Sequence, residues 1–319
     1  CCNNSSLAQP DTRHPGHQMP LRRNSEVQVE GTNTTVQLRD LFNAGRWKKP
    51  FTFKHFLFAL YLPFGLALWP VRLMFNVLVF SFLLVIPKRL RFLTPPLIAL
   101  SMGVITRVRG RHNLPSRNNP NAGRIIVCNH LSDFDPYPIY MMLDYFHVLV
   151  AAHIANVPII GNVYRKMDAI YVDQANRDKA RLDVMEALSK TNIPLLIYPE
   201  GGLTSGKTGL MMFQKFVFGL GHGVTPISMR LTSPWPINVD YLGSNWFKNF
   251  FWWIMVPFHI FELNVLPTEF IKDGETDMDF AKRVQSIIAK DLRIEATSHP
   301  YAQKRELVKE MQNAKQAKR

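Results

Sequence analysis

His130 and Asp135 are the residues of this chain whose types and spacing most directly suggest chemistry. A neutral imidazole near pH 7 can take the proton from a hydroxyl and make it a nucleophile. A carboxylate bonded to the other ring nitrogen fixes the tautomer and stabilises the imidazolium that forms. The pair lies in the corner Asn129-His130-Leu131-Ser132-Asp133-Phe134-Asp135-Pro136, where the acids have competing roles. Asp135 precedes Pro136 and reads equally as a helix N-cap, followed by the first helical residue. Asp133 is then either the orienting acid or a plain loop residue. A metal held by His130, Asp133 and Asp135 would lack further ligands, so no metal is expected.

A second corner runs Tyr198-Pro199-Glu200-Gly201-Gly202-Leu203-Thr204-Ser205-Gly206-Lys207. Adjacent glycines let backbone amides approach a ligand closely, and Lys207 and Lys215 add positive charge. Glu200, Gly201, Gly202, Lys207 and Asn129 are the candidate substrate-binding residues.

Both corners need elements to position them. The runs GRIIVCNH, MDAIYVDQ, IPLLIYPEGG and GVTPISMR read as strands. Helical stretches are expected over 136–145, 176–191 and 210–220. Strands alternating with helices indicate an α/β domain, a mostly parallel sheet flanked by helices. In such sheets ligands gather at the carboxyl ends of the strands, where both polar corners fall. Farther on, Phe280, Val284, Ile287 and Ile288 share one helical face suited to packing on the domain.

Ahead of this domain the text is apolar from Phe51 to Pro87. As one helix, residues 55–86 would reach roughly 48 Å, against a bilayer core of about 30 Å. Pro63 and Pro70 fall mid-run, and both flanks are basic: Arg46, Lys48, Lys49 and Lys54 before, Lys88, Arg89 and Arg91 after. Positive flanks are retained on the cytosolic side. The expected form is a membrane-embedded helical hairpin dipping into one leaflet, which suits a bilayer or a lipid-droplet monolayer. The aromatic run Phe247, Phe250, Phe251, Trp252, Trp253 and Met255 is expected to make a second membrane contact.

Composition agrees with a membrane surface. The net charge of +14 calls for an anionic partner, and no nucleic-acid-binding motif is present. Three cysteines, Cys1, Cys2 and Cys128, make no disulfide framework and indicate a reduced, cytosol-facing chain. Residues 1–45 are polar, carry the sequons at Asn4 and Asn33, and read as a disordered tail. The expected domains are that tail, a membrane hairpin over 46–92, an α/β domain over 93–296 and a basic tail over 297–319.

Four segments stand in order: His130 to Asp135, Ile170-Tyr171-Val172-Asp173, Pro199-Glu200-Gly201 and Val224-Thr225-Pro226-Ile227. Over roughly residues 100–235 this order and spacing resemble the glycerol-phosphate and lysophospholipid acyltransferase superfamily. The resemblance implies His130 as general base, Asp135 as its orienter, acyl-CoA as co-substrate with no other cofactor, and a glycerol-phosphate or lysophospholipid acceptor. It implies that the Glu200-Gly201 segment helps bind the acceptor's phosphate and that the fourth segment lines the acyl groove. Segments from Asn245 to Phe258 and from Phe280 to Leu292 look like the branch called ancient ubiquitous protein. That implies residence on the endoplasmic reticulum and lipid droplets, cytosolic face, with ubiquitin-pathway partners and a role in protein degradation. Two departures stand out: Gln174 and Leu203 occupy positions where the family has phosphate-binding arginines. An acyl-CoA-dependent O-acyltransferase and a non-catalytic lipid-droplet scaffold are the two readings.

Overall fold

The computed structural model describes residues 35–114, 123–143, 146–158, 160–166, 168–173 and 176–317. Gln174, both sequon asparagines and most of the expected N-terminal tail lie outside them.

Helices in chain order are α1 (Phe53–Val85), α2 (Thr94–Met102), α3 (Pro136–Tyr140), α4 (Ile160–Lys166), α5 (Arg177–Lys190), α6 (Trp246–Met255), α7 (Asp277–Leu292) and α8 (Tyr301–Gln316). Strands are β1 (Val104–Arg109), β2 (Ile125–Cys128), β3 (His147–Ala151), β4 (Ile170–Val172), β5 (Leu195–Ile197), β6 (Gly209–Leu210), β7 (Val224–Thr232), β8 (His259–Val265) and β9 (Glu295–Ala296). Seven of them form one sheet in the order β1-β8-β7-β2-β5-β3-β4. Every pairing in it is parallel except β7 with β8. The α/β architecture with a mostly parallel sheet is therefore as the sequence implies.

Strand β2 lies at the centre, with Ile125 in register with both Leu195 of β5 and Val224 of β7. All four β2 residues are fully buried, as a parallel strand covered on both faces requires. The carboxyl ends of β2 and β5 are therefore neighbours, and the loops that follow them meet. The sheet's two faces differ. One faces α1, α2, α3 and α6 through Val104, Ile227, Met229, Phe261, Leu263 and Trp253. The other packs on α5 and α7, whose Phe280, Val284 and Ile288 point inward while Ile287 is half-buried. Residues along β8 alternate buried and half-buried, so each side chain is assigned to one face by the pleat.

The expected helix over 210–220 is absent. Here the chain forms β6 and a single 3-10 turn, Lys215–Val217. Met212 N–H is donated to His299 and Gln214 N–H to Pro199, so long-range bonds replace the helical ones. The aromatic run is α6, and it packs mostly inward rather than onto a membrane: Trp253, Ile254 and Met255 are buried, Trp252 packs beside Phe58, and Phe247 alone is strongly exposed within the run. Two segments that composition marks as tails are built into the domain. Residues 35–50 run as a strap, with Leu41 and Phe42 buried against Met211 and Leu307. Residues 301–316 form α8, docked beside Gly202 through Tyr301.

The apolar run does not turn back at its prolines. It is one 33-residue helix through Pro63 and Pro70, about 50 Å long. The reversal comes later, through a 3-10 turn at Lys88–Leu93, and α2 returns along α1, where Asn76 Nδ2 donates to the Ser101 carbonyl at 3.0 Å. One side of α1 is docked lengthwise. Phe58 packs with Trp235 and Trp252, Tyr61 donates to Met255 O at 2.8 Å, Trp69 to Phe251 O at 3.2 Å, and Val79 and Leu83 join the core. The opposite side exposes Leu57, Phe64, Leu68, Val71, Leu78, Phe82 and Val85. Arg72, within this apolar helix, donates to the carbonyls of Ile254, Val256 and Pro257. Its charge thus sits at the C-terminus of α6, where the helix dipole favours a cation.

Arg72→Met keeps the stem but leaves those carbonyls without their donor. It should cost about 1–3 kcal/mol, read as a lower thermal midpoint in detergent; an unchanged midpoint would refute the docking role.

Candidate active site

The loop after β2 closes around Asp135. Its Oδ2 lies 2.9 Å from His130 Nδ1. The same oxygen accepts the N–H groups of Leu131 at 2.5 Å and Ser132 at 3.0 Å, and Oδ1 accepts the Ser132 hydroxyl at 2.6 Å. Asp135 stands at the N-cap position of α3 but makes no side-chain capping bond, so its carboxylate serves the loop and the histidine. Asp133 turns elsewhere, accepting from Asn249 Nδ2 at 3.1 Å, and burial raises its carboxyl above the usual range.

An Nδ1–H donated to Asp135 leaves the Nε2 lone pair of His130 free to accept a proton. Among the described residues none bonds Nε2, and the side chain is 21% exposed against 0% for Asp135, so the reactive edge faces outward while its orienter is sealed. The ring stacks on Tyr198, centroids 4.2 Å apart and planes 12° from parallel. The Tyr198 hydroxyl is buried and has no partner among the described residues; burial raises it far above the ordinary phenol range.

The candidate substrate-binding residues mostly face inward. Glu200 is fully buried. Its Oε1 accepts His130 N–H at 2.8 Å and its Oε2 accepts Met211 N–H at 2.9 Å. Sealed in this way it braces the backbone of the histidine. Burial pushes its carboxyl up to about 7, against these donors, which favour the ionised form. Asn129 is buried as well and pairs with β7, donating to Met229 O at 3.0 Å and accepting Met229 N–H at 2.8 Å. It continues the sheet's hydrogen bonding past the end of β2. Gly201 adopts φ +72°, where a Cβ would collide with Gln214. At Gly202 a Cβ would strike the Tyr301 ring at 2.6 Å. Their small size thus admits neighbouring side chains. Lys207 is tied to Asn43 Oδ1 at 2.7 Å, and burial lowers its pKa.

Other residues at this site carry no sequence signal of their own. Ser132 bonds Asp135 and Tyr198 stacks on His130. Asn249 bridges Asp133, Asp240 and Arg46. Lys304, from α8, donates to Leu203 O at 2.6 Å. A concavity of about 390 Å³ lined by Arg107, Arg109, Arg230 and Arg293 belongs to the strands and helix end around Asp291 and shares no residue with this cluster. Among the described residues no three His, Cys, Asp or Glu side chains gather as a metal site.

The pattern of the acyltransferase family matches residues 105–230, from β1 into β7 and across both corners. Residues 105–230 thus carry the acyltransferase family's pattern, in keeping with the glycerolipid acyltransferase superfamily that the sequence resembles. The 1-acyl-sn-glycerophosphate acyltransferase PlsC of Thermotoga maritima shares the fold, with a TM-score of 0.50 at 17% identity, covering 76% of this chain and 97% of that one. The lipid droplet-regulating VLDL assembly factor AUP1 of Xenopus laevis is 29% identical over 79% of this chain and 61% of its own. The Caenorhabditis elegans homologue is 26% identical over 84% of this chain and 66% of its own. Lysophospholipid acyltransferase LPEAT2 of Arabidopsis thaliana is 28% identical over 56% of this chain and 34% of its own. The chain spans about three fifths of the Xenopus relative's length.

Glu200→Ala should orphan two buried N–H groups and cost about 1–3 kcal/mol for each, measured by denaturant unfolding. The pH dependence has a definite sign. A carboxyl whose pKa is raised from 4.5 to about 7 on folding contributes stability below about 4.5, and that contribution is lost as pH rises through about 7. Glu200→Gln should flatten the stability profile between these values; an identical slope in both proteins would contradict the assignment.

Proposed function

We propose that this protein transfers an acyl group from acyl-CoA to the free hydroxyl of a glycerol-phosphate or lysophospholipid at a membrane surface. The observation that carries this reading is the 2.9 Å bond from His130 Nδ1 to Asp135 Oδ2 beneath an outward-facing imidazole edge. The acyltransferase-family match over residues 105–230 supports the reaction class.

The chemistry follows from that geometry. His130 Nε2 takes the acceptor's hydroxyl proton as the oxygen attacks the thioester carbonyl carbon. A carbon–oxygen bond forms and the carbonyl electron pair moves onto oxygen. Collapse of this intermediate breaks the carbon–sulfur bond, and the imidazolium returns its proton to the departing CoA thiolate. Asp135 stabilises the imidazolium between these steps, while Glu200 and Ser132 hold the backbone and carboxylate in place.

His130→Ala should reduce acyl transfer by about 10²–10⁴-fold, and Asp135→Asn by less, in a detergent assay with labelled acyl-CoA and a panel of lysophospholipids and glycerol-3-phosphate. Both variants should unfold cooperatively. Full transfer by His130→Ala would refute the base assignment.

The membrane part of the proposal places α1 in the plane of the cytosolic leaflet of the endoplasmic reticulum or of a lipid-droplet monolayer. Helix α1 has the length and composition to cross a bilayer. Its attachment to the domain from Phe58 to Leu83 favours lying flat, since a crossing helix would draw α6 and α2 into hydrocarbon with it. Removing residues 55–86 would strip core side chains, so a surface change is the cleaner test. Replacing Phe64 and Leu78, both exposed, with Lys should move the protein from droplets to the soluble fraction without lowering its thermal midpoint; unchanged droplet residence would argue against this face.

A second reading, a droplet-resident scaffold with ubiquitin-pathway partners, rests on the droplet-regulating relatives. It is favoured if no acceptor in the panel is acylated above the His130→Ala background.

A further inference from the structure

Beside the catalytic pair lies a shell of charges contributed by distant parts of the chain. Arg46 comes from the N-terminal strap, Lys207 from the loop after β5, and Lys304 from α8. Asp133 and Asp240 face them. Arg46 is spent on the carbonyls of Asn238 and Val239 and on Asn249 Oδ1 at 2.8 Å. Lys207 is spent on Asn43, with Asn238 Oδ1 farther off at 3.4 Å. Lys304 differs. Its ammonium has three donors, and among the described residues its acceptor is one carbonyl, that of Leu203 at 2.6 Å. None of the three cations makes an ion pair within 4.0 Å among the described residues.

Lys304 is also held in place. Its ammonium lies over the Phe42 ring, 4.9 Å from the centroid. Its stem passes Gly202, where a Cβ would stand 3.4 Å from Lys304 Cδ. The carbonyl it holds belongs to the residue before Thr204, whose N–H is donated to His130 O at 2.8 Å. One peptide unit, Leu203–Thr204, thus lies between the ammonium on one edge and the backbone of His130 on the other.

We propose that Lys304 receives the phosphate of the acceptor, so that the C-terminal helix supplies a cation beside the loop after β5, whose own Lys207 is engaged by Asn43. The inference rests on the acyltransferase reading. A phosphate carried on the same glycerol as the reacting hydroxyl lies a few bonds from it, so its receiver must stand beside His130. An ammonium with two spare donors meets phosphate oxygens through short, charge-assisted bonds. The neighbouring acids do not cancel it. Glu200 is sealed behind the loop, Asp133 is engaged by Asn249, and Asp240 Oδ1 is held by Ser244 and Asn249. Burial lowers the pKa of Lys304 while these three carboxylates raise it, and an arriving phosphate dianion would favour the charged amine further.

The test uses the full chain in detergent with lysophosphatidic acid as probe and acyl-CoA omitted. Lys304→Met should weaken lysophosphatidic acid binding by about tenfold or more, lower the thermal midpoint modestly through loss of the Leu203 bond, and leave monoacylglycerol of the same chain length bound as before. Lys304→Arg should restore most of the affinity, and Lys304→Gln serves if the Met variant is unstable. Inorganic phosphate competing in the native protein and not in Lys304→Met would assign recognition to the phosphate alone. Competition by glycerol-3-phosphate only would assign it to the phosphate with its glycerol; both support the proposal. In turnover, KM for the phosphorylated acceptor should rise with kcat retained. Unchanged lysophosphatidic acid affinity in Lys304→Met, or an equal loss for monoacylglycerol, would overturn it. Acyl transfer with an unaltered KM in Lys304→Met would remove Lys304 and leave the enzyme reading standing. Phosphate-selective binding without transfer on any acceptor would do the reverse.

Discussion

The carboxylate of Glu200 joins the two corners on which the site depends. It accepts one N–H from His130 and one from Met211, so the end of β2 and the segment after β6 share one buried group. This is possible because β2 and β5 are parallel neighbours in register, which brings their carboxyl ends side by side. Everything at the histidine then follows from short range: Asp135 is five residues away, Ser132 steadies it, and Tyr198 arrives from the same loop as Glu200. A buried carboxylate with two backbone donors is costly to leave unpaired, so the brace holds the geometry tightly.

The apolar helix is governed by a different constraint, the need to satisfy polar groups where water is scarce. Arg72, Asn76, Tyr61 and Trp69 all point at the domain and all find carbonyls there. The other side carries aliphatic and aromatic side chains almost without interruption. Polar atoms thus mark the docked side of the helix and apolar atoms the exposed side.

Much of this was legible in the sequence because it is periodic or local. The strand-corner-helix text around His130 and the strand before Glu200 follow from apolar runs that stop at polar residues. Strand β8 is not among the runs read as strands, although His259-Ile-Phe-Glu-Leu-Asn-Val alternates, because the aromatic run ahead of it suggests a membrane contact. Other features had no local signal. Glu200 and Asn129 sit in polar corners and look like ligand contacts, while their partners are backbone groups of Met211 and Met229, far along the chain. Residues 35–50 and 301–316 are polar enough to read as tails. Their few anchors, Leu41, Phe42, Tyr301 and Leu307, carry the packing, and four apolar residues in two separate segments do not register as a pattern. The expected helix over 210–220 failed for the same reason, because its backbone bonds go to Pro199 and His299.

One consequence of the strap concerns timing on the ribosome. Thr35 hydroxyl bonds Glu295 across 260 residues of sequence, and Phe42 meets Lys304. The sheet core that carries His130 and Asp135 is complete once β8 has emerged, but the wall beside them waits for α8, among the last described residues to be translated. Long-range closures of this kind form late and slowly. A nascent chain would therefore hold His130 and Asp135 with one side open until α8 has been made.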